Sequence, residues 1–462
     1  FIVVGTGAGG CVMANRLTEN PDVSVLALEA GGAEVPEIVH NAPDWWKIWG
    51  TEWDWNYKST PQEACNGRQT DEHRGKLLGG SSDLYIMMHI RGHKSDFDGW
   101  AANGCPGWTY DECLPWFQKQ EDQEDDTNPT AGKGGPLAVT NAGLHDPNPA
   151  SAAFIEACVA LGYPRTDDFN GPQMEGVGWH HINVKDGRRV GTYAGYLEPA
   201  MSRPNLTVST DSFASRLVLT DGRCTGVEYI KDGQTVTDTA RREVIVCGGA
   251  LESPKLLMLS GIGPAQHLQE VGVEVKVNLA GVGENFHNHV LAPVVQLVKE
   301  PLPEPKQNAS EVALFTKSNP DNVGPDIQVA FVHIVPGLPD AVVILPGVVQ
   351  PKSRGTIRLA SADPAAAPTQ GSKPSRPALV QNNLVTYTGT ITGTITGWYL
   401  TRRWHVSFPT WADIVAPGLF VMQAVARWGN FFNQELYGPP TDLPWGIAID
   451  CAHRIAQYPC ST

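Results

Sequence analysis

The amino-terminal residues follow the order strand, glycine-rich turn, helix, strand and acid. Apolar residues 1–4 run directly into GTGAGG at positions 5–10, apolar residues at helical spacing follow, and a second apolar run ends at Glu29. The first glycine permits a tight bend, the second lets a phosphate approach the backbone, and the last lets the helix contact the strand. Amides at the helix start then face the phosphates, and the acid accepts ribose hydroxyls. The pattern predicts a dinucleotide site, whereas the glycines alone would also fit a turn without a ligand.

The length and charge of the chain limit what it does. Its 462 residues suit two domains or more. The net charge of −15 argues against nucleic acid or an anionic membrane surface as a partner. The nine cysteines include no CxxC pair, so we expect reduced thiols and neither a zinc site nor a disulfide framework. Residue 1 already lies in an apolar strand, so the sequence is silent on a leader, and a bacterial cytoplasmic location is the expectation.

Further motifs are shared with one enzyme family. Residues 74–92 are RGKLLGGSSDLYIMMHIRG, and residues 248–263 are GGALESPKLLMLSGIG. With the opening glycines, LEAGG at 28–32 and GVGEN at 281–285, they resemble the glucose–methanol–choline (GMC) oxidoreductases over about residues 1–368. The resemblance implies an FAD cofactor and a small-molecule alcohol substrate, oxidised by hydride transfer to flavin N5 while a histidine takes the hydroxyl proton. The alcohol, and oxygen or quinone as electron acceptor, stay open.

The residues expected to contact FAD lie on the small-residue segments. The GGSS loop at 79–82 can approach a flat ring and a pyrophosphate closely, and the strand at 242–249 ends in small residues at a sheet edge. The resemblance assigns FAD contacts to Gly5, Thr6, Gly7, Ala8, Gly10, Glu29, Ala30, Gly79, Ser82, Tyr85, Met87, Ala214, Gly248 and Gly249. Tyr85 stands where the family has asparagine, and the larger phenol is expected to crowd the flavin pocket or to swing away.

The fold class that follows is α/β, or α+β for the chain as a whole. The resemblance implies a Rossmann-like FAD-binding domain with an antiparallel-sheet substrate domain and a helical C-terminal appendage. Alternation at 326–333, with partner strands at 342–345 and 355–359, predicts that sheet. The expected boundaries are 1–150 and 205–290 for the FAD-binding domain, 151–204 and 291–365 for an incomplete substrate domain, 366–383 for a linker, unstructured at 369–377, and 384–462 for a foreign fragment.

The segment that carries the family's catalytic histidine is not found after Pro368. Turnover is therefore expected to be impaired, and a non-catalytic FAD-binding remnant or a chimera is the alternative. His333 on a substrate-domain strand is the remaining candidate base, with a structural role as its alternative. His180 and His181 alternate faces of a strand and are not expected to share a metal. The acidic run at 121–126 is expected to be a solvated loop and no calcium site.

The tail resembles a second family. Residues 426–438 are ARWGNFFNQELYG, similar to the signature of prolipoprotein diacylglyceryl transferase, a membrane enzyme. That resemblance matches Arg427, Asn430 and Gly438 to positions that meet a phosphatidylglycerol head group. The uncharged stretches at 384–400 and 414–426 have 17 and 13 residues, short of the ~20 that a span needs. A chimera is indicated, with membrane contact possible only through this tail. A fragment of the transferase is the other hypothesis.

Overall fold

The structure is a computed structural model that describes residues 1–335, 338 and 340–372. Phe1–Lys373 forms one unit, while the helical appendage predicted at 384–462 and the linker beyond residue 372 lie outside the described residues. The described helices are α1 (Ala8–Leu17), α2 (Glu37–His40), α3 (Lys94–Ala102), α4 (Tyr110–Gln120), α5 (Pro149–Ala160), α6 (Glu198–Ala200), α7 (Gly249–Leu259) and α8 (Ala265–Glu270). Short 3-10 turns occur at Ala42–Ile48, Glu63–Cys65, Gly80–Asp83 and Ala142–Leu144, and a π turn at Tyr193–Leu197.

The described strands have between two and nine residues. They are β1 (Ile2–Val4), β2 (Val25–Leu28), β3 (Tyr57–Lys58), β4 (Asp71–Glu72), β5 (Glu121–Gln123), β6 (Leu137–Asn141), β7 (Gly176–Trp179), β8 (His181–Ile182), β9 (Val184–Lys185), β10 (Arg188–Arg189), β11 (Leu206–Ser209), β12 (Phe213–Thr220), β13 (Arg223–Lys231), β14 (Gln234–Thr239), β15 (Val244–Val246), β16 (Ile262–Gly263), β17 (Val277–Asn278), β18 (Val290–Leu291), β19 (Val294–Leu297), β20 (Val312–Thr316), β21 (Ile327–Val332), β22 (Ala341–Val348), β23 (Gly355–Arg358) and β24 (Thr369–Ser372).

A four-stranded parallel sheet forms around the opening strand, in the order β11-β2-β1-β15. Val3 lies opposite Ala27 on one side and Ile245 on the other. The core beneath α1 includes Val3, Cys11, Ala14 and Ala27, all buried. The predicted βαβ unit and the third strand beside it are confirmed. The fourth strand, β11, is one that the sequence did not indicate.

An antiparallel sheet forms the second layer, in the order β18-β22-β21-β20-β7, with β19 also paired to β22. Its hydrophobic face, which includes Leu314, Val329 and Phe331, packs against Ile155 and Cys158 of α5. The two strands predicted at 326–333 and 342–345 lie in this sheet as β21 and β22. The strand predicted at 355–359 does not: β23 pairs with β24 instead.

The pairing of β23 also corrects the prediction that the polar stretch at 369–377 is unstructured, for residues 369–372; residues 373–377 lie outside the described residues. Residues Thr369–Ser372 form β24, antiparallel to β23. The Thr60 amide and hydroxyl both donate to Gln370 O, at 2.7 and 3.0 Å. Polar composition argues against a hydrophobic core, but these backbone groups are satisfied by partners distant in sequence, which composition does not reveal.

The expectation that residues 121–126 form a solvated loop is wrong at its start. Glu121 and Gln123 are buried on β5. Arg91 Nε donates to Glu121 Oε1 at 2.8 Å, Arg91 Nη2 donates to Oε2, and His89 Nε2 lies 2.9 Å from Oε1. Burial alone would raise the pKa of Glu121, but the hydrogen bonds from His89 and Arg91 outweigh it and hold that pKa at about 2. The acid is therefore an ionised interior anchor.

The described residues contain neither a membrane-spanning helix nor a cluster of metal ligands. Among the described helices, none has both the length and the apolar composition to cross a bilayer. Within the same ranges, no group of three or more His, Cys, Asp or Glu side chains is arranged to hold a metal ion.

Replacing the buried acid by Glu121→Gln should destabilise the fold by about 3–5 kcal/mol, because Arg91 would keep its charge in the interior without a counter-ion. The folded pKa lies below the ordinary value of 4.5. The stabilisation is therefore fully present above about pH 4.5 and is lost as the pH falls towards 2. Chemical denaturation at several pH values measures both effects.

The matched control is Glu19→Gln, which removes the partner of Arg16 in an exposed pair at 2.5 Å. Because water screens that pair, its loss should barely change the free energy of unfolding. Equal losses for the two variants would contradict the role given to burial.

Candidate functional site

The glycine turn and the GGSS loop are in direct backbone contact at the carboxyl end of β1. The Gly79 amide donates to Thr6 O at 2.8 Å. Gly80 has a φ of +55°, and a Cβ built on it would lie 2.7 Å from the Gly7 Cα. Side chains on this face would push the two loops apart. The structure thus brings together two segments that are 70 residues apart in the sequence.

Two helices begin beside this contact without a side-chain cap. Gly7 precedes α1 and Gly248 precedes α7, and within the described residues neither helix start receives a hydrogen bond from a capping side chain. Ala8 and Gly249 are exposed, and a Cβ on Gly249 would meet no atom within 4 Å. Since β15 lies next to β1, both helix starts lie at the same end of the parallel sheet. Uncapped amides there are suited to bind phosphate groups.

Glu29 ties the glycine turn to the end of β2. The Thr6 amide and hydroxyl donate to Glu29 Oε2 at 2.9 and 2.7 Å, and the Gly31 amide donates to Oε1 at 2.9 Å. Burial raises the pKa of this carboxyl group, and those backbone hydrogen bonds oppose the rise. The Ser212 amide donates to Glu29 O at 2.7 Å, which brings the segment of Ala214 to the same place. The predicted contact of Glu29 with a ribose stays a prediction.

The predicted contact residues Ser82 and Met87 make internal contacts. Ser82 Oγ lies 2.7 Å from Gly79 O and 2.6 Å from Thr192 Oγ1, so it closes its own loop. Met87 has a φ of +62°, and its side chain is buried in a cluster with Trp45. These contacts shape the loop from within. Gly5 and Gly10 likewise have structural roles, since a Cβ on either would meet backbone oxygen at 2.6 and 1.8 Å.

Arg189 is a site residue that the sequence did not reveal. Its buried guanidinium lies below the loop, where Nη1 donates to Tyr85 O at 2.6 Å and Nε donates to Val39 O at 2.8 Å. A second donation from Nη1 reaches Ser82 O at 3.4 Å. Nothing in the local pattern of β10 marks this arginine as buried. The guanidinium therefore binds two backbone carbonyls, those of Ser82 and Tyr85.

Tyr85 turns its phenol toward the interior. Its hydroxyl donates to Asn183 Oδ1 at 2.8 Å. Burial raises the pKa of Tyr85 to about 12, although the nearby Arg189 acts in the opposite direction. Of the two outcomes expected for this residue, crowding the pocket or swinging away, the contact with Asn183 corresponds to the second.

The histidines named from the sequence have separate environments. His333 follows β21, and both of its ring nitrogens are buried with no hydrogen-bond partner in the part of the chain that the structure describes. His180 Nδ1 lies 2.8 Å from Ser310 O, and burial lowers the pKa of each of these two histidines to about 4. His181 instead lies between Asp125 and Asp168. The two adjacent histidines thus have different partners.

Comparisons with known proteins identify the family. The family model described as GMC oxidoreductase matches residues 1–291. An oxygen-dependent choline dehydrogenase of Paraburkholderia phytofirmans is 37% identical over 409 positions, covering 80% of this chain and 72% of the relative. The mitochondrial choline dehydrogenase of Mus musculus is 40% identical over 312 positions, covering 65% of this chain and 52% of the relative. The chain belongs to the GMC oxidoreductase family.

Solved structures support the same assignment. Pyridoxine 4-oxidase from Mesorbium loti superposes with a TM-score of 0.77 at 32% identity, covering 84% of this chain and 77% of that one. A formate oxidase superposes with a TM-score of 0.72 at 28% identity, covering 80% and 76%. By family, this GMC oxidoreductase is an FAD-dependent enzyme, and the expected cofactor and fold class are confirmed. Uncapped helix starts, close-packed glycines and the buried Glu29 form a donor and acceptor set that fits a dinucleotide.

The resemblance of the tail is also confirmed. The family model of prolipoprotein diacylglyceryl transferase matches residues 375–461. Arg427, Asn430 and Gly438 all lie in this part, outside the described residues. The match covers a minor share of the chain, and the structure adds nothing about it.

Substituting Gly7→Ala should leave the fold intact and weaken FAD binding. Gly7 has φ −71° and ψ −163°, values that alanine adopts, and the nearest atom to a Cβ there is the Gly80 Cα at 3.9 Å. The methyl group would occupy the space through which a pyrophosphate approaches the backbone, so we expect a loss of about tenfold or more in affinity. Fluorescence titration of the apoprotein with FAD measures it.

Gly99→Ala is the control, because a Cβ built on this α3 glycine likewise makes no close contact, with no described atom within 4 Å of it. We expect wild-type FAD affinity for that variant and unchanged melting temperatures without FAD for Gly7→Ala. Tight FAD binding by Gly7→Ala would show that the pyrophosphate lies elsewhere.

Proposed function

We propose that this GMC oxidoreductase binds FAD where its two glycine loops meet and oxidises the CH–OH group of a small alcohol. The observation that carries the proposal is the backbone contact between the glycine turn and the GGSS loop, flanked by two uncapped helix starts. Bound FAD supplies the acceptor for the hydride that leaves the alcohol carbon. The protein binds the cofactor, orients the alcohol and removes the hydroxyl proton.

The binding roles follow from the chemistry of each group. Backbone amides at Gly7 and Ala8 bind the pyrophosphate, and the Glu29 carboxylate accepts from ribose hydroxyls. The segment from Gly79 to Met87 contacts the flavin end. Because the relatives include choline dehydrogenases, choline is the first alcohol to test.

The residue that takes the hydroxyl proton is proposed to be His333. Burial lowers the pKa of this imidazole to about 4, so the ring is neutral at neutral pH, but the same shift makes it a weaker proton acceptor than an ordinary histidine. Both ring nitrogens lack a partner within the described residues, so the imidazole is not committed to a structural hydrogen bond. Its burial is the argument for the alternative function, an FAD-binding protein without turnover.

The function is tested by adding choline without oxygen to protein reconstituted with FAD. We expect the visible absorbance band of the bound flavin to appear on reconstitution and to bleach with choline. Ethyltrimethylammonium, which lacks the hydroxyl group, is the matched control and should leave the band unchanged. A stable band with every alcohol tried supports the non-catalytic alternative, and absence of a band rejects the cofactor proposal.

Substituting His333→Asn should slow the anaerobic bleaching by about 10²–10⁴-fold if this imidazole is the base. FAD affinity should not change, because His333 follows β21 and takes no part in the backbone contacts between the glycine turn and the GGSS loop. His180→Asn is the control, a buried histidine whose pKa is lowered to the same value. Bleaching of His333→Asn at the wild-type rate would exclude His333 as the base.

A further inference from the structure

A buried chain of hydrogen bonds runs from Tyr85 into the protein interior. The phenol donates to Asn183 Oδ1 at 2.8 Å. Asn183 Nδ2 donates to Ala138 O at 2.9 Å and lies 3.4 Å from His89 Nδ1. His89 Nε2 lies 2.9 Å from Glu121 Oε1. The chain therefore connects the GGSS loop to the buried Glu121–Arg91 ion pair.

The hydrogen positions in this chain follow from its two ends. A carbonyl oxygen only accepts, so the Asn183 NH₂ group must face Ala138 O. Asn183 Oδ1 then faces the phenol, and Tyr85 must be the donor. At the other end, the ionised Glu121 only accepts, so His89 Nε2 carries a hydrogen and donates it. Because the Asn183 NH₂ group can only donate, His89 Nδ1 is the acceptor in that contact.

Tyr85 is therefore held at two points. Its backbone carbonyl accepts from Arg189 Nη1 at 2.6 Å, and its phenol hydrogen is committed to Asn183. A phenol has a single hydrogen, so Tyr85 has none left for a cofactor or a substrate. What the side chain contributes to the site is the placement of the loop on which it lies.

We propose that Tyr85 is a positioning residue for FAD: by donating to Asn183 it fixes the segment from Gly79 to Met87 against which the cofactor binds. The inference rests on the FAD-binding function proposed above. The rival is a direct contact, in which the phenol itself donates to the bound cofactor. The two differ in what the loss of Asn183 does.

A double-mutant cycle in the full chain distinguishes them. The variants are Tyr85→Phe, Asn183→Ala and the double variant, and the measurement is the dissociation constant of FAD from the apoprotein. If Tyr85 acts through Asn183, each single variant should weaken FAD binding by about 5- to 10-fold, and the double variant should lose no more than either. The visible circular dichroism of bound FAD should change alike in all three, because the loop against which it binds shifts.

Losses that add in the double variant, or Asn183→Ala with wild-type affinity, would overturn the proposal in favour of the direct contact. Asn183→Ala decides alone if Tyr85→Phe does not fold, since it leaves the phenol in place. If the wild-type apoprotein takes up no FAD, the proposed function fails. If the wild type binds and Tyr85→Phe binds equally well, only this inference fails.

Tyr229→Phe is the matched control. That phenol donates to Asp238 Oδ2, also at 2.8 Å, between β13 and β14. The variant removes the same atom and a hydrogen bond of the same length, away from the GGSS loop. It should bind FAD like the wild type, because the loss of the hydroxyl leaves the backbone pairing of Tyr229 with Ala214, a predicted FAD contact, in place. A loss equal to that of Tyr85→Phe would overturn the proposal, because the effect would then be a general cost of removing a buried phenol hydroxyl.

Discussion

The site depends on the close approach of the glycine turn and the GGSS loop, which meet at Gly7 and Gly80, two residues without side chains. Gly80 at φ +55° lies against Gly7, and the Gly79 amide donates to Thr6 O. Any L-residue at Gly80 would be strained in conformation and blocked in space. The remaining contacts act on these two segments: Glu29 holds the turn through Thr6, and Arg189 holds the loop through its carbonyls. The two segments are therefore held against each other by contacts on both sides.

Local pattern was sufficient to predict the βαβ unit, because the glycines, the helix and the acid lie within 25 residues of one another. It was insufficient for β11, whose Leu206 pairs with Val25 across 180 residues. The same limit explains β24, where a polar segment is ordered by Thr60 and β23. The acidic run was misassigned for a related reason. Glu121 is buried only because Arg91, 30 residues earlier, supplies the opposite charge.

The residues of the candidate site are likewise of two kinds, those that the local sequence predicts and those that it does not. Glycines are predictable because their roles are backbone roles, which the motif itself encodes. Arg189 and Asn183 were not predictable, since each acts on a loop about 100 residues earlier in the chain. For Tyr85 the departure from the family pattern is visible in the sequence and leaves two outcomes open. Only the presence of an acceptor, the oriented amide of Asn183, selects between them.

The buried ion pair determines where the hydrogen lies on His89, at one end of the hydrogen-bond chain from Tyr85. A buried Arg91–Glu121 pair is costly to desolvate and is often no more stabilising than apolar residues of the same size. It contributes to a unique set of donors and acceptors. The ionised acid at one end of the chain and the carbonyl beside Asn183 can only accept hydrogen bonds, so His89 and Asn183 must donate to them. A flexible loop tied to an apolar core would be held in place but not oriented. Tied to this chain, the loop is held in one hydrogen-bonded arrangement, because Ala138 O orients the Asn183 amide and the Tyr85 phenol donates to it.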